Sequence, residues 1–157
     1  MNNHSITEYL LTHKFFSELG DNSVETLAEH ASTQKIKKGQ MLFRQGEHAD
    51  KFYIVLKGRL LVQIPALMGP SIEIQVLSTN QVLGWSWLIS PYQWHFQVRA
   101  EEDCELLEFD GAGLLAICEQ DPKFGYQLLK RFAALMSERL DASRQKMMDE
   151  WNPSGFA

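Results

Sequence analysis

The run Leu42-Phe43-Arg44-Gln45-Gly46-Glu47-His48-Ala49-Asp50-Lys51-Phe52-Tyr53-Ile54-Val55-Leu56-Lys57-Gly58-Arg59 decides the fold. Just ahead of it and at its start, Met41 and Phe43 lie two apart, the period of a strand. Gly46 with Asp50 then marks a loop, and Phe52 to Leu56 is an unbroken apolar run closed by Lys57-Gly58. Two strands joined by a glycine-bearing turn are expected, because glycine takes positive φ at little cost.

Outward toward the C-terminus the period of two continues. Leu60, Val62 and Ile64 alternate, Pro65 to Pro70 forms a loop, and Ile72, Ile74 and Val76 alternate with Glu73 and Gln75. Phe96, Val98 and Ala100 alternate with His95, Gln97 and Arg99, and Leu107 with Phe109 supplies a last strand. Short strands punctuated by turn residues define a sandwich or jelly-roll barrel over about 35–110.

Toward the N-terminus the pattern is helical. Residues 6–16 read as a helix carrying Ile6, Tyr9, Leu10 and Phe16. A second helix is expected from Asn22, capped with Glu25 and bearing Val24, Leu27, Ala28 and Ala31 on one face. Lys35, Lys37 and Lys38 around Gly39 read as a solvated turn.

Helix returns over about 111–151. Asp110 caps a short segment with Leu114, Leu115 and Cys118, and Asp121-Pro122 starts a long one. There Leu129, Phe132, Met136, Leu140, Met147 and Trp151 recur at threes and fours with Ser143 among them, widened by Leu128 and Leu135. That stripe exceeds what a small barrel needs, so Leu129, Phe132, Met136, Leu140 and Met147 are candidates for a dimer seam. Residues 152–157 form a tail. The expected architecture is α+β: one domain over 1–157, a β jelly-roll barrel with N-terminal helices and a long C-terminal dimerisation helix.

A chain of 157 residues is long enough for one self-sufficient core. Its net charge of −5 demands a local basic face if nucleic acid is a partner. The basic residues of the long helix, Lys130, Arg131, Arg139, Arg144 and Lys146, alternate with Glu138, Asp141, Asp149 and Glu150 and read as a solvated face. Cys104 and Cys118 make no disulfide framework or CxxC pair, no apolar run reaches membrane-spanning length, and the first residues lack a secretory pattern. A cytoplasmic protein with no membrane association is expected. No GxSxG, HExxH, P-loop or carboxylate pair around a histidine occurs, so an enzyme is disfavoured.

Three of the four tryptophans fall within residues 84–96, Gly-Trp-Ser-Trp-Leu-Ile-Ser-Pro-Tyr-Gln-Trp-His-Phe. So dense an aromatic stretch is either a plug or the lining of a pocket. The candidate ligand-binding residues are Gly84, Trp85, Ser86, Trp87, Trp94, His95 and Phe96. His95 has no partner at metal-ligand spacing, so no metal site is expected.

The Leu42–Arg59 run resembles the opening signature of cyclic-nucleotide-binding domains, the catabolite-activator and fumarate-nitrate regulators in particular. Val98-Arg99-Ala100 through Leu107 resembles their strand after the phosphate cassette, and Leu129-Lys130-Arg131-Phe132-Ala133 through Leu140 resembles their dimer helix. The resemblance implies a ligand-sensing regulatory domain that signals through a homodimer. In that family a glycine precedes a glutamate that holds the ribose, and an arginine followed by a hydroxyl residue grips the cyclic phosphate. Here Gly84 keeps the glycine, but Trp85 stands at the glutamate, Trp94 at the arginine and His95 at the hydroxyl. Ser143 falls near where relatives offer a hydroxyl to the base.

Losing two charge-assisted anchors removes about 3–6 kcal/mol, roughly 10²- to 10⁴-fold in affinity. Ordinary cyclic AMP affinity is therefore not expected. Three readings remain for the stretch: a filled pocket, a pocket retuned for another small ligand, and a weakened cyclic nucleotide site. The family's helix-turn-helix pattern does not follow the long helix within these residues, so direct DNA binding is disfavoured and a protein partner is expected. The other class of reading is a ligand-free interaction module.

Overall fold

The computed structural model describes residues 1–151. The tail expected at 152–157 and the side chain of Trp151 lie outside the described residues.

Among the described residues eight antiparallel strands make two four-stranded sheets. They are β1 (Ala31–Ile36), β2 (Met41–Phe43), β3 (Lys51–Lys57), β4 (Leu60–Ile64), β5 (Ile72–Leu77), β6 (Val82–Leu83), β7 (Gln97–Ala100) and β8 (Cys104–Asp110). One sheet has the order β1-β8-β3-β6 and the other β2-β7-β4-β5. The two close face to face as the jelly roll that the strand pattern calls for.

The unbroken run Phe52–Val55 has a physical reason. Phe52 and Ile54 point to a core under the helices, whereas Tyr53 and Val55 point into the jelly roll, and all four are buried. Strand β8 repeats the division: Leu107 and Phe109 face the helices, Cys104 and Leu106 the interior. A strand buried on both faces needs apolar residues at every position rather than every second one. Gly58, at φ +96°, turns β3 into β4 where an added Cβ would stand 2.6 Å from the Asp103 carbonyl oxygen.

Helices α1 (Asn3–Thr12), α2 (Asp21–Glu29), α3 (Gly111–Gln120) and α4 (Pro122–Trp151) cover the outer face of the β1-β8-β3-β6 sheet. Two boundaries differ from the helical reading. α1 begins early because the Asn2 side chain accepts from the Ser5 N–H at 2.8 Å, and it ends before Phe16, which is buried by a turn instead. α2 begins at Asp21 after Gly20, with no side-chain cap, so the Asn22–Glu25 cap does not form. Ala31 belongs to β1, which the sequence concealed: as an edge strand it exposes Ser32 to Lys35 in succession and shows no alternation. The Asp110 cap forms, its carboxylate accepting from the Gly113 N–H at 3.0 Å, and Asp121 caps α4 through the Phe124 N–H at 3.2 Å.

The long helix carries two stripes. Phe124, Leu128, Phe132, Leu135 and Arg139 are buried against the rest of the chain. Phe132 therefore cannot serve a dimer seam: it is 0% exposed and packs edge-on against Phe15, Phe52 and Trp87. Tyr126, Leu129, Leu140 and Met147 remain exposed, Leu140 at 60% and Met147 at 73%. With Ala133, Met136 and Ser143 they recur at alternating threes and fours, the heptad spacing that a seam with a second helix requires. Among the described residues no helix is long and apolar enough to cross a membrane.

Candidate ligand site between the jelly roll and the long helix

The opening signature holds the site in place. The Gly46 N–H donates to the Trp94 carbonyl at 2.9 Å, the Trp94 N–H to the Glu47 carbonyl at 3.0 Å and the Ala49 N–H to the Tyr92 carbonyl at 2.7 Å. Trp94 is thus fixed at its backbone, and its ring stacks on Phe43 with centroids 3.7 Å apart and planes 9° from parallel. The opposite wall is Gly84, at φ +104°, whose Cβ, were there one, would stand 3.2 Å from the Trp94 ring. Glycine is required there on both counts, conformation and clearance.

Trp85 is half-buried and stacks on His95 at 4.5 Å, and the Ser86 hydroxyl shares a hydrogen bond with His95 Nδ1 at 3.1 Å. Gly84, Trp85, Ser86, Trp94, His95 and Phe96 surround one cavity with Phe43, Val62, Leu83 and Arg139. Its volume is about 10 Å³. A single water needs roughly 10–15 Å³ by the same measure, so the side chains fill the site.

Two residues expected in the pocket lie elsewhere. Trp87 turns to the other side of the sheet, 1% exposed, stacked on Phe52 at 5.0 Å with its indole N–H donating to the Gly84 carbonyl at 3.2 Å. It lies within the 3₁₀ turn Ser86–Leu88 and joins the helix-side core, on which Trp85 and Leu88 also pack. Ser143 does not line the cavity: its hydroxyl donates to the Arg139 carbonyl at 3.0 Å, one turn back on α4.

Arg139 is the residue the sequence misassigned. Placed on a solvated face, it is only 2% exposed and enters the cavity wall from the long helix. Its guanidinium donates to Gln75 Oε1 and, at 3.5 Å, to the Val82 carbonyl. Gln75 in turn donates through Nε2 to Glu138 Oε1 at 3.0 Å, so one β5 side chain holds two neighbours on α4. Burial lowers the Arg139 pKa, and Glu138 opposes that shift. The signal was present: Leu128, Phe132, Leu135 and Arg139 are spaced four, three and four, so the arginine ends an apolar stripe. Gln97, expected to face solvent, is also buried, donating to Gln63 Oε1 at 3.0 Å and Ser71 Oγ at 3.1 Å.

A more open groove of about 340 Å³ lies between the α1–α2 connection and α4, bordered by His13, Asn80, Arg131 and Glu138. Its histidine is structural: Nε2 is 2.6 Å from the Asn80 carbonyl and Nδ1 accepts from the Phe15 N–H at 3.1 Å. Among the described residues no group of three or more His, Cys, Asp or Glu side chains could hold a metal ion.

The site thus sits between a two-sheet jelly roll and the long helix that supplies Arg139 to its wall. The model of the cyclic nucleotide-binding domain family matches residues 33–121, more than half of the chain, and the chain belongs to that family. It is 26% identical over 131 residues to the cAMP-activated global transcriptional regulator CRP of Escherichia coli O157:H7, covering 81% of this chain and 59% of that protein. The chain thus spans less than two thirds of the length of the curated relative.

Two solved structures extend the likeness in fold. A cyclic nucleotide-binding domain from Methylobacillus flagellatus gives a TM-score of 0.76 at 17% identity, covering 94% of this chain and 83% of that one. The sensor domain of the transcriptional regulator DNR from Pseudomonas aeruginosa gives 0.71 at 18% identity, covering 88% and 93%.

Proposed function

We propose that this chain is a regulatory ligand-sensing domain without ordinary cyclic AMP affinity, signalling through a homodimeric long helix to a protein partner. The whole of 1–157 acts as one domain and performs no catalysis. Its two free thiols, Cys104 and Cys118, suit a cytoplasmic setting. The observation that carries the reading is Arg139, which stands in the cavity wall and also belongs to the helix that presents the heptad seam. A change at the cavity would therefore reach the seam through one helix, without a relay of loops.

What supports the loss of cyclic AMP affinity is the cavity volume together with the tryptophans at the two charged positions of the cassette. A buried anionic phosphate would lack its cassette arginine and carry an uncompensated desolvation cost. The same 10 Å³ volume favours a second reading, a ligand-free interaction module whose aromatic stretch is only core.

The dimer is tested by light scattering of the wild type and of Leu140→Glu. Expected is a mass of two chains that falls to one in the variant, with the melting of the fold retained, because Leu140 is exposed in the single chain. A wild-type mass of one chain at high micromolar concentration would remove the dimer from the reading.

A further inference from the structure

Among the described residues no other lysine, arginine, aspartate or glutamate is as buried as Arg139. Both its hydrogen-bond partners are neutral, and no carboxylate among the described residues lies within ion-pair distance of it. Its nearest acidic neighbour, Glu138, is instead engaged by Gln75. A guanidinium offers five N–H donors in a planar fork suited to a carboxylate, and here that fork meets an amide oxygen and a peptide carbonyl. Around it stand Phe43, Trp85, Trp94, His95 and Phe96. One buried cation inside aromatic walls is complementary to a flat ring that carries one negative charge.

The walls differ in how firmly they are held. Trp94 is buried and fixed by two backbone hydrogen bonds and the Phe43 stack. Trp85 is only half-buried, resting on the edge of the helix-side core, and its stacking partner His95 is exposed and held by one hydrogen bond to Ser86. The movable part is therefore the Trp85–His95 pair. Displacing it releases the space of an indole and an imidazole ring, enough for a one- or two-ring molecule and too little for a nucleotide.

We propose that Arg139 anchors a small aromatic carboxylate, which enters by displacing the Trp85–His95 pair and takes the guanidinium from Gln75. This rests on the ligand-sensing reading and supplies its ligand class. Release of Gln75 loosens the β5 contact with both residues 138 and 139, beside the seam residue Leu140. Ligand capture and helix position are then coupled by competition for one arginine.

The test uses four probes, benzoate, benzamide, indole-3-carboxylate and indole-3-carboxamide, with cyclic AMP alongside. Binding is followed by the tryptophan indole N–H resonances and by melting temperature. Expected are shifts of the Trp85 and Trp94 resonances with the carboxylates, and roughly ten- to a hundredfold weaker binding of the neutral amides. Arg139→Met is expected to erase that preference and Arg139→Lys to keep it in weaker form. The lysine variant decides the matter should the methionine variant not fold. Equal binding of acid and amide, or acid binding untouched in both variants, overturns this inference and leaves the sensing reading standing. No response to any of the four aromatic probes also overturns this inference, whereas tight binding of cyclic AMP would overturn the reading it rests on.

Discussion

The two faces of the β1-β8-β3-β6 sheet both bury aromatic rings, but they bury them against different things. On the helix face Phe16, Phe52, Phe109, Phe132 and Trp87 meet one another, with Phe52 and Phe109 stacked at 4.3 Å, and almost none of their surface is exposed. On the interior face Trp94 stacks on Phe43 beside a buried cation, and the rings at the rim of the cavity, His95 and Trp85, the latter also resting on the helix-side core, are reached by solvent. The first arrangement resembles the core of any folded domain. The second has a polar group at its end and a rim open to solvent. Residues seven apart in the same short stretch, Trp87 and Trp94, thus have separate duties, one in holding the helices and one in filling the site.

The contrast can be broken most severely at Trp87. Trp87→Ala is expected to cost about 3–5 kcal/mol, since a fully buried ring leaves a void that packed neighbours cannot close. Chemical denaturation measures it, and a loss below ~1 kcal/mol would place Trp87 outside the core. Gly84→Ala tests the interior face, where strained φ and the Trp94 ring together should cost about 1–3 kcal/mol. A movement of the Trp94 resonance should accompany that loss.

Arg139→Met should go the other way. Replacing a buried charge without an ionic partner by an apolar side chain is expected to leave stability unchanged or raise it by about 1–2 kcal/mol. Phe132→Ala, two turns earlier on the same stripe, should lose about 3–5 kcal/mol. A destabilisation by Arg139→Met as large as that of Phe132→Ala would make the arginine a structural strut rather than a ligand anchor.

The smallest effect concerns pH and lies outside both cores. Burial lowers the His13 pKa below its ordinary value of 6.5, against the opposing hydrogen bond with the Asn80 carbonyl. The folded chain then binds fewer protons than the unfolded chain in that window, so stability rises with pH. The contribution is complete above about pH 6.5 and shrinks as the pH falls from there toward the folded-state pKa. Melting at pH 5.5 and 7.5 should show the difference, and His13→Gln should reduce it.

The jelly roll was legible because its signals are local. Phe52–Val55 had to be buried on both faces, Gly58 had to turn, and Asp110 and Asp121-Pro122 had to cap. The edge strand β1 was not legible, since four successive exposed positions carry no period. In the site, the resemblance brought Gly84, Trp85, Ser86, Trp94, His95 and Phe96 to one cavity, but it could not separate Trp87, whose direction depends on a 3₁₀ turn. Arg139 was hidden by its charge. Mixed basic and acidic residues read as a wet helix face, and only its spacing from Leu128, Phe132 and Leu135 marks it as inward.

A calorimetric titration of the wild-type protein with cyclic AMP bears most directly on whether the phosphate site has been given up. With Trp85 and Trp94 at the cassette positions and a cavity of about 10 Å³, no saturable heat is expected below ~1 mM. Saturable binding near 1 µM, about 8 kcal/mol, would contradict it, since the rings would then have to leave the cavity for a nucleotide at little cost.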